Sequence, residues 1–134
     1  MIAREGERGV PPARLILAGF SQGGAIALAS GVRREAGLAG IVALSTYLPL
    51  QSSTAAEITS AGKRTPIFMG HGSVDPVVLP AWGIASRDKL QALGLSVQWH
   101  AYPMPHSVCA EEIRDLGDWL TVRFAARPSE PLPK

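Results

Sequence analysis

The stretch Leu15-Ile16-Leu17-Ala18-Gly19-Phe20-Ser21-Gln22-Gly23-Gly24-Ala25 passes from an apolar run, through a glycine-flanked serine, into an alanine-rich segment carrying Ile26 and Leu28. Four apolar residues in a row suit a strand buried on both faces. Residues 21 to about 34 read as a helix, yet Gly23 and Gly24 are poor helix formers and need a reason to be there. Gly19-Phe20-Ser21-Gln22-Gly23 is a G-x-S-x-G pentapeptide, a weak signal by itself in a chain with 14 glycines. Between a strand and a helix it is stronger, because that is the setting of a nucleophile elbow. The turn is so sharp that the serine takes a strained backbone, and glycines on either side remove side chains that would collide. Gly24 would let the helix approach the sheet.

The same punctuation continues in both directions. Upstream, residues 1–13 carry balanced charges and end at Pro11-Pro12, which reads as a short helical stub and a turn. Downstream, Ile41-Val42-Ala43-Leu44 is a second buried strand, and residues 45–63 are a polar loop with room for one short helix. Pro66-Ile67-Phe68-Met69-Gly70 is a third strand and residues 71–76 a loop. Residues 83–93 suit a helix with Gly94 as its cap. Residues 97–102 form a fourth strand. Residues 109–124 form the last helix, with Ile113, Leu116, Leu120 and Phe124 as its buried face. Residues 127–134 hold three prolines and read as a flexible tail. This alternation predicts an α/β fold with a parallel sheet of about four strands and helices packed on its faces. It forms one domain over residues 1–126, consistent with a length of 134 residues.

Composition narrows the function classes. Hydrophobic residues make up 46% and charged residues 18%, too apolar for a disordered chain. Thirteen Lys and Arg against eleven Asp and Glu leave a net charge of +2 with no basic run, so nucleic acid is not an expected partner. No stretch approaches the ~20 apolar residues of a membrane span. The charged N-terminus does not resemble a signal peptide. The single cysteine, Cys109, excludes an internal disulfide and a cysteine-based zinc site, reads as a small buried residue, and makes a cytoplasmic setting the simplest.

In parallel sheets, sites gather at the C-terminal ends of strands. Ser21 sits there, and its hydroxyl needs a base to become nucleophilic. Of three histidines, His100 lies inside the fourth strand. His71 is placed to shape the turn after the third strand. His106 follows the fourth strand and is the best base. Asp75, after the third strand, is the best orienting acid, since Asp88, Asp115 and Asp118 fall on helices. The order Ser21, Asp75, His106 is that of the α/β-hydrolases. Plainer roles compete: Ser21 as a helix cap, Asp75 as a turn former before Pro76, and His106 as a cap or loop brace.

The segments Ile16–Ala25, Ala43-Leu44-Ser45 with Tyr47-Leu48-Pro49, His71-Gly72 with Asp75-Pro76, and Tyr102-Pro103-Met104 with His106 resemble the phospholipase/carboxylesterase family of α/β-hydrolases, which includes acyl-protein thioesterases. The resemblance covers about residues 1–125. It implies Ser21 as nucleophile, Asp75 as acid and His106 as base. It also implies the Gln22 backbone N–H as an oxyanion donor, and Leu48, Val77 and Val78 as the lining of the acyl pocket. Known members need no cofactor or metal. Two positions depart from the pattern: Thr46 and Pro105 stand where glycine is usual. The chain also begins just before the nucleophile strand, so the fold expected is a truncated α/β-hydrolase that lacks the loop supplying a second oxyanion donor.

The expected function is therefore a serine carboxylesterase acting on short-chain esters, with thioesters as a further substrate. The rate should fall below roughly pH 6.5 as a histidine base becomes protonated. The contrasting expectation is a catalytically silent remnant serving as an interaction module. In either case an apolar edge near residues 14–18 invites pairing with another chain, most simply as a homodimer.

Overall fold

The computed structural model describes residues 14–49 and 51–125. Among these residues four strands form one sheet: β1 (Ile16–Phe20), β2 (Gly40–Leu44), β3 (Ile67–Gly72) and β4 (Val97–Tyr102). Their order across the sheet equals their order in the chain, and every pairing is parallel. Successive parallel strands need crossovers, and helices supply them. These are α1 (Gln22–Gly31), the short α2 (Gln51–Glu57) and α3 (Ser60–Lys63), and α4 (Pro80–Ala92); α5 (Ala110–Ala125) follows β4. The stub expected in residues 1–13 and the tail expected in residues 127–134 lie outside the described residues.

The side-chain alternation of the strands separates two cores. On one face Leu17, Ile41, Ala43, Ile67 and Met69 pack with Leu28, Val32 and Leu90 from the helices. On the other, Val42, Leu44 and Phe68 meet Trp119 of α5. The two inner strands, β2 and β3, are buried throughout. Each large side chain removed from water there contributes about 1.5–3 kcal/mol.

Several expectations from sequence are corrected. β1 is the edge strand expected near residues 14–18, but the expected burial on both faces fails, with Ala18 exposed and Phe20 40% exposed. The first helix stops at Gly31 rather than near Arg34. Residues 45–63 hold two short helices, the second capped by Thr59, whose side chain accepts from the Gly62 N–H. Helix α4 begins at Pro80, three residues earlier than expected, because proline at the first turn forfeits no helical hydrogen bond. Its far end closes as a Schellman motif, with Gly94 at φ 95° and the Leu95 N–H bonded to the Leu90 carbonyl.

The largest correction concerns α5. Ile113 and Phe124 are exposed, Leu116 and Leu120 are half-buried, and the residues turned fully inward are Glu112 and Trp119. Trp119 decides the rotation. Its ring lies where a Cβ on Gly40 would stand, 2.4 Å away, so the indole uses the one gap in β2 wide enough for it.

Candidate active site

The C-terminal ends of β1, β3 and β4 each deliver one polar side chain to the same place. Ser21 follows β1 with φ 56° and ψ −120°, a sparsely populated conformation for a residue with a side chain. Two close approaches impose it. A Cβ on Gly19 would lie 2.2 Å from the Gly23 carbonyl carbon, and one on Gly24 would lie 2.7 Å from Thr46 Cγ2. Gly23 itself faces open space, so only Gly19 and Gly24 fit the expected steric role. Three bonds hold the turn: Ser21 N–H to the Leu44 carbonyl at 2.9 Å, Ala25 N–H to the Ser21 carbonyl at 3.0 Å, and Thr46 Oγ1–H to that same carbonyl at 2.6 Å.

The Ser21 side chain makes no bond to its own helix, although it occupies the N-cap position. It points instead to His106, with Oγ 3.1 Å from Nε2. The other ring nitrogen, Nδ1, lies 2.8 Å from Asp75 Oδ2. That arrangement assigns the Nδ1–H donor to Asp75 and leaves Nε2 as the acceptor for the serine hydroxyl. Phe20 packs on the same imidazole with ring centroids 4.8 Å apart.

Asp75 does two jobs with two oxygens. Oδ1 accepts the Val77 and Val78 N–H groups at 2.8 and 2.9 Å, which is the turn-forming role, and Oδ2 serves His106. Burial by itself would raise its pKa. The bonds from His106, Val78 and Val77, with the charge of His106, outweigh that cost and hold the carboxyl below its ordinary 3.8. Gly72 allows the His106 loop to settle against β3, since a Cβ there would stand 2.2 Å from the carbonyl oxygens of Met104 and Pro105. Pro105 therefore lies in the loop without parting His106 from its partners.

His71 is buried; its Nε2 lies 2.8 Å from the Val78 carbonyl, so it braces the Asp75 turn. His100 contacts Gln98 and, at 3.7 Å, Asp115. Asp88 pairs with Arg87. Cys109 is half-buried. Gln22 opens α1, so its N–H has no acceptor within the helix and adjoins the serine. Leu48 is buried in the first core, Val78 is 5% exposed, and Val77 is 59% exposed. Missed from sequence is an apolar groove of about 510 Å³ that starts at Gln22 and runs along α1 past Ala25, Ile26 and Ala29 to Arg33, with Tyr47 on its side. The helical spacing of 22, 25, 26 and 29 marks that wall in retrospect. Among the described residues no three His, Cys, Asp or Glu side chains cluster as metal ligands would, and no helix is long and apolar enough to cross a membrane.

A family model described as Phospholipase/Carboxylesterase matches residues 1–123. Acyl-protein thioesterase 1 of Neurospora crassa is 44% identical over 127 residues, 92% of this chain and 52% of that protein. Acyl-protein thioesterase 1 of Mycosarcoma maydis is 45% identical over 116 residues, 83% of this chain and 48% of that protein. Among solved structures, SOBER1 of Arabidopsis thaliana is similar with a TM-score of 0.87 at 33% identity, over 91% of this chain and 59% of that one. The chain thus spans about half the length of the curated relatives it matches.

Proposed function

The chain belongs to the phospholipase/carboxylesterase family, and from that premise we propose that it is a serine carboxylesterase for short-chain esters, with Ser21, His106 and Asp75 as its triad. The observation that carries the reading is the unbroken hydrogen-bond line from the Ser21 hydroxyl through His106 to Asp75, starting on a strained turn. Strain of that kind costs about 1–3 kcal/mol and persists where the surroundings enforce it.

The chemistry follows from the line. His106 Nε2 takes the hydroxyl proton as Ser21 Oγ attacks the ester carbonyl carbon. The carbonyl oxygen becomes negative and is met by the Gln22 N–H at the positive end of α1. The tetrahedral species collapses, the C–O bond to the alcohol breaks, and the alcohol leaves with the proton from His106. Water then attacks the acyl-enzyme by the same route in reverse, giving the free acid and restoring Ser21. Asp75 stays ionised, keeps the ring in the useful tautomer and stabilises the imidazolium.

Of the three side chains implied as acyl lining, Leu48 is taken up in the first core and Val78 is 5% exposed, so Val77 alone stands open, which supports short acyl groups. A second reading, thioester hydrolysis, is favoured by the activity named in the fungal relatives. It uses the same residues, with a thiol as leaving group.

The test uses a fluorophosphonate probe and a chain-length series of nitrophenyl esters beside an acyl thioester. The expected result is covalent labelling of Ser21, none in Ser21→Ala and weak labelling in His106→Ala, with hydrolysis fastest for the shortest acyl chains. Ser21→Ala should lose about 10⁴-fold or more in kcat. Folded wild-type chain that neither labels nor hydrolyses any ester would return the chain to the silent-remnant reading.

A further inference from the structure

The end of β2 carries two buried hydroxyl residues that no step above uses. Ser45 is fully buried and Thr46 is 1% exposed. Ser45 is also the only described non-glycine residue besides Ser21 with positive φ, at 51°. Buried hydroxyls and positive-φ serines both cost stability, so their partners matter.

Thr46 reaches sideways to the elbow. Its hydroxyl donates to the Ser21 carbonyl at 2.6 Å, and its methyl faces the Cα of Gly24. That carbonyl already accepts the first helical bond from Ala25, so Thr46 fills its second lone pair and fixes the peptide that leads into α1. Ser45 reaches the opposite way. Its N–H donates to the Gly70 carbonyl at 2.8 Å, and its hydroxyl makes a long 3.4 Å contact with the carbonyl of Ser107, the residue after His106. Positive φ at Ser45 is the bend that lets neighbouring residues face two different loops.

We propose that Ser45 and Thr46 are positioning residues: a bracket at the end of β2 that holds the nucleophile elbow and the His106 loop in register at 3.1 Å. The proposal rests on the esterase reading and deepens it. Thr46 carries most of the effect, because a bond of 2.6 Å is strong whereas one of 3.4 Å lies beyond the usual hydroxyl range. Proton transfer depends steeply on the serine–histidine geometry, so losing the bracket lowers the chemical step and leaves substrate binding in place.

The experiment measures kcat, KM, the fluorophosphonate labelling rate and the melting temperature for wild type, Thr46→Val, Thr46→Ser and Ser45→Ala. Thr46→Val keeps the shape and removes the hydroxyl. Its kcat and labelling rate should fall together by about 10- to 100-fold, with KM within about twofold. Thr46→Ser should restore most of the loss. Ser45→Ala should lose less than tenfold. Wild-type kcat in Thr46→Val overturns the bracket, as does a loss that follows melting temperature and is not rescued by serine. An inert wild type is a different failure, that of the esterase reading. The bracket is then judged on the His106 ring nitrogen resonances, which Thr46→Val shifts if the bracket exists and leaves in place if it does not.

Discussion

Asp75 Oδ1 is committed to two backbone amides and Oδ2 is hydrogen-bonded to His106, with His71 Nε2 farther off at 3.7 Å, and that division makes Asp75→Asn an informative substitution. The amide oxygen of asparagine can still take the Val77 and Val78 N–H groups, so the turn survives. Its NH₂ then faces His106 Nδ1, which must become an acceptor and push the ring proton to Nε2. A protonated Nε2 cannot accept from Ser21, and kcat should fall by about 10³–10⁴ with the fold intact. Wild-type kcat in Asp75→Asn would show that the carboxylate sets only the turn. The native carboxyl is held low, so its contribution to stability is present above the ordinary carboxyl range and is lost only as pH falls through the lower folded value. Ser21, Asp75 and His106 were legible in the sequence because each follows an apolar run, and strand ends in a parallel sheet converge. Ser45 and Thr46 were not. Hydroxyl residues after a strand are common, and only the fold shows which carbonyl each one meets.

Helix α5 was legible as an element and misread as a face. Its apolar stripe at 113, 116, 120 and 124 is real in the sequence, but the sheet accepts Trp119 and, two turns earlier, Glu112. Single-sequence patterning assumes that the most apolar stripe turns inward, and a large indole facing Gly40 overrode it. The cost falls on Glu112. It is fully buried against Gly70 and both carboxylate oxygens lack a hydrogen-bond partner. Burial raises its pKa from 4.5 to about 7. A raised carboxyl means that the folded state binds the extra proton, so stability declines as pH rises from 4.5 to about 7 and the full penalty stands above that. The difference is worth about 3 kcal/mol at about 1.4 kcal/mol per pH unit. Glu112→Gln should therefore melt several degrees higher than wild type at pH 8, with the gain shrinking toward pH 4.5. Thermal melts across that range check it; an equal gain at both ends would mean packing, and not charge, is at work.

At the scale of the whole molecule the two sides of the sheet are covered unequally. Among the described residues one face has its crossover helices, and the other has α5 alone. Strand order was legible, because four apolar runs separated by helical segments leave few parallel arrangements, yet how much of each face would be covered was not, since coverage depends on where helices come to rest. Among the described residues the outer edge of β1 pairs with nothing, and residues 15–20 carry no charge or proline to blunt it. On that edge Ala18 is exposed and Phe20 is 40% exposed, and α5 shows Ile113 at 55% and Phe124 at 61%. Ile16, Leu116 and Leu120 are half-buried against the same second core, which sets the strand and the helix on one face of the sheet. Such a surface favours self-association, and a twofold pair closes it without leaving a further edge. Light scattering during size exclusion should show apparent mass rising with concentration toward twice that of the chain. Ala18→Lys and Phe124→Glu should each hold the chain at the monomer mass, since a charge buried in the pair has no partner. Labelling of Ser21 should continue in Phe124→Glu, which lies on α5 outside the hydrogen-bond line. A wild-type chain that stays monomeric at every concentration would mean that the uncovered face is tolerated in water.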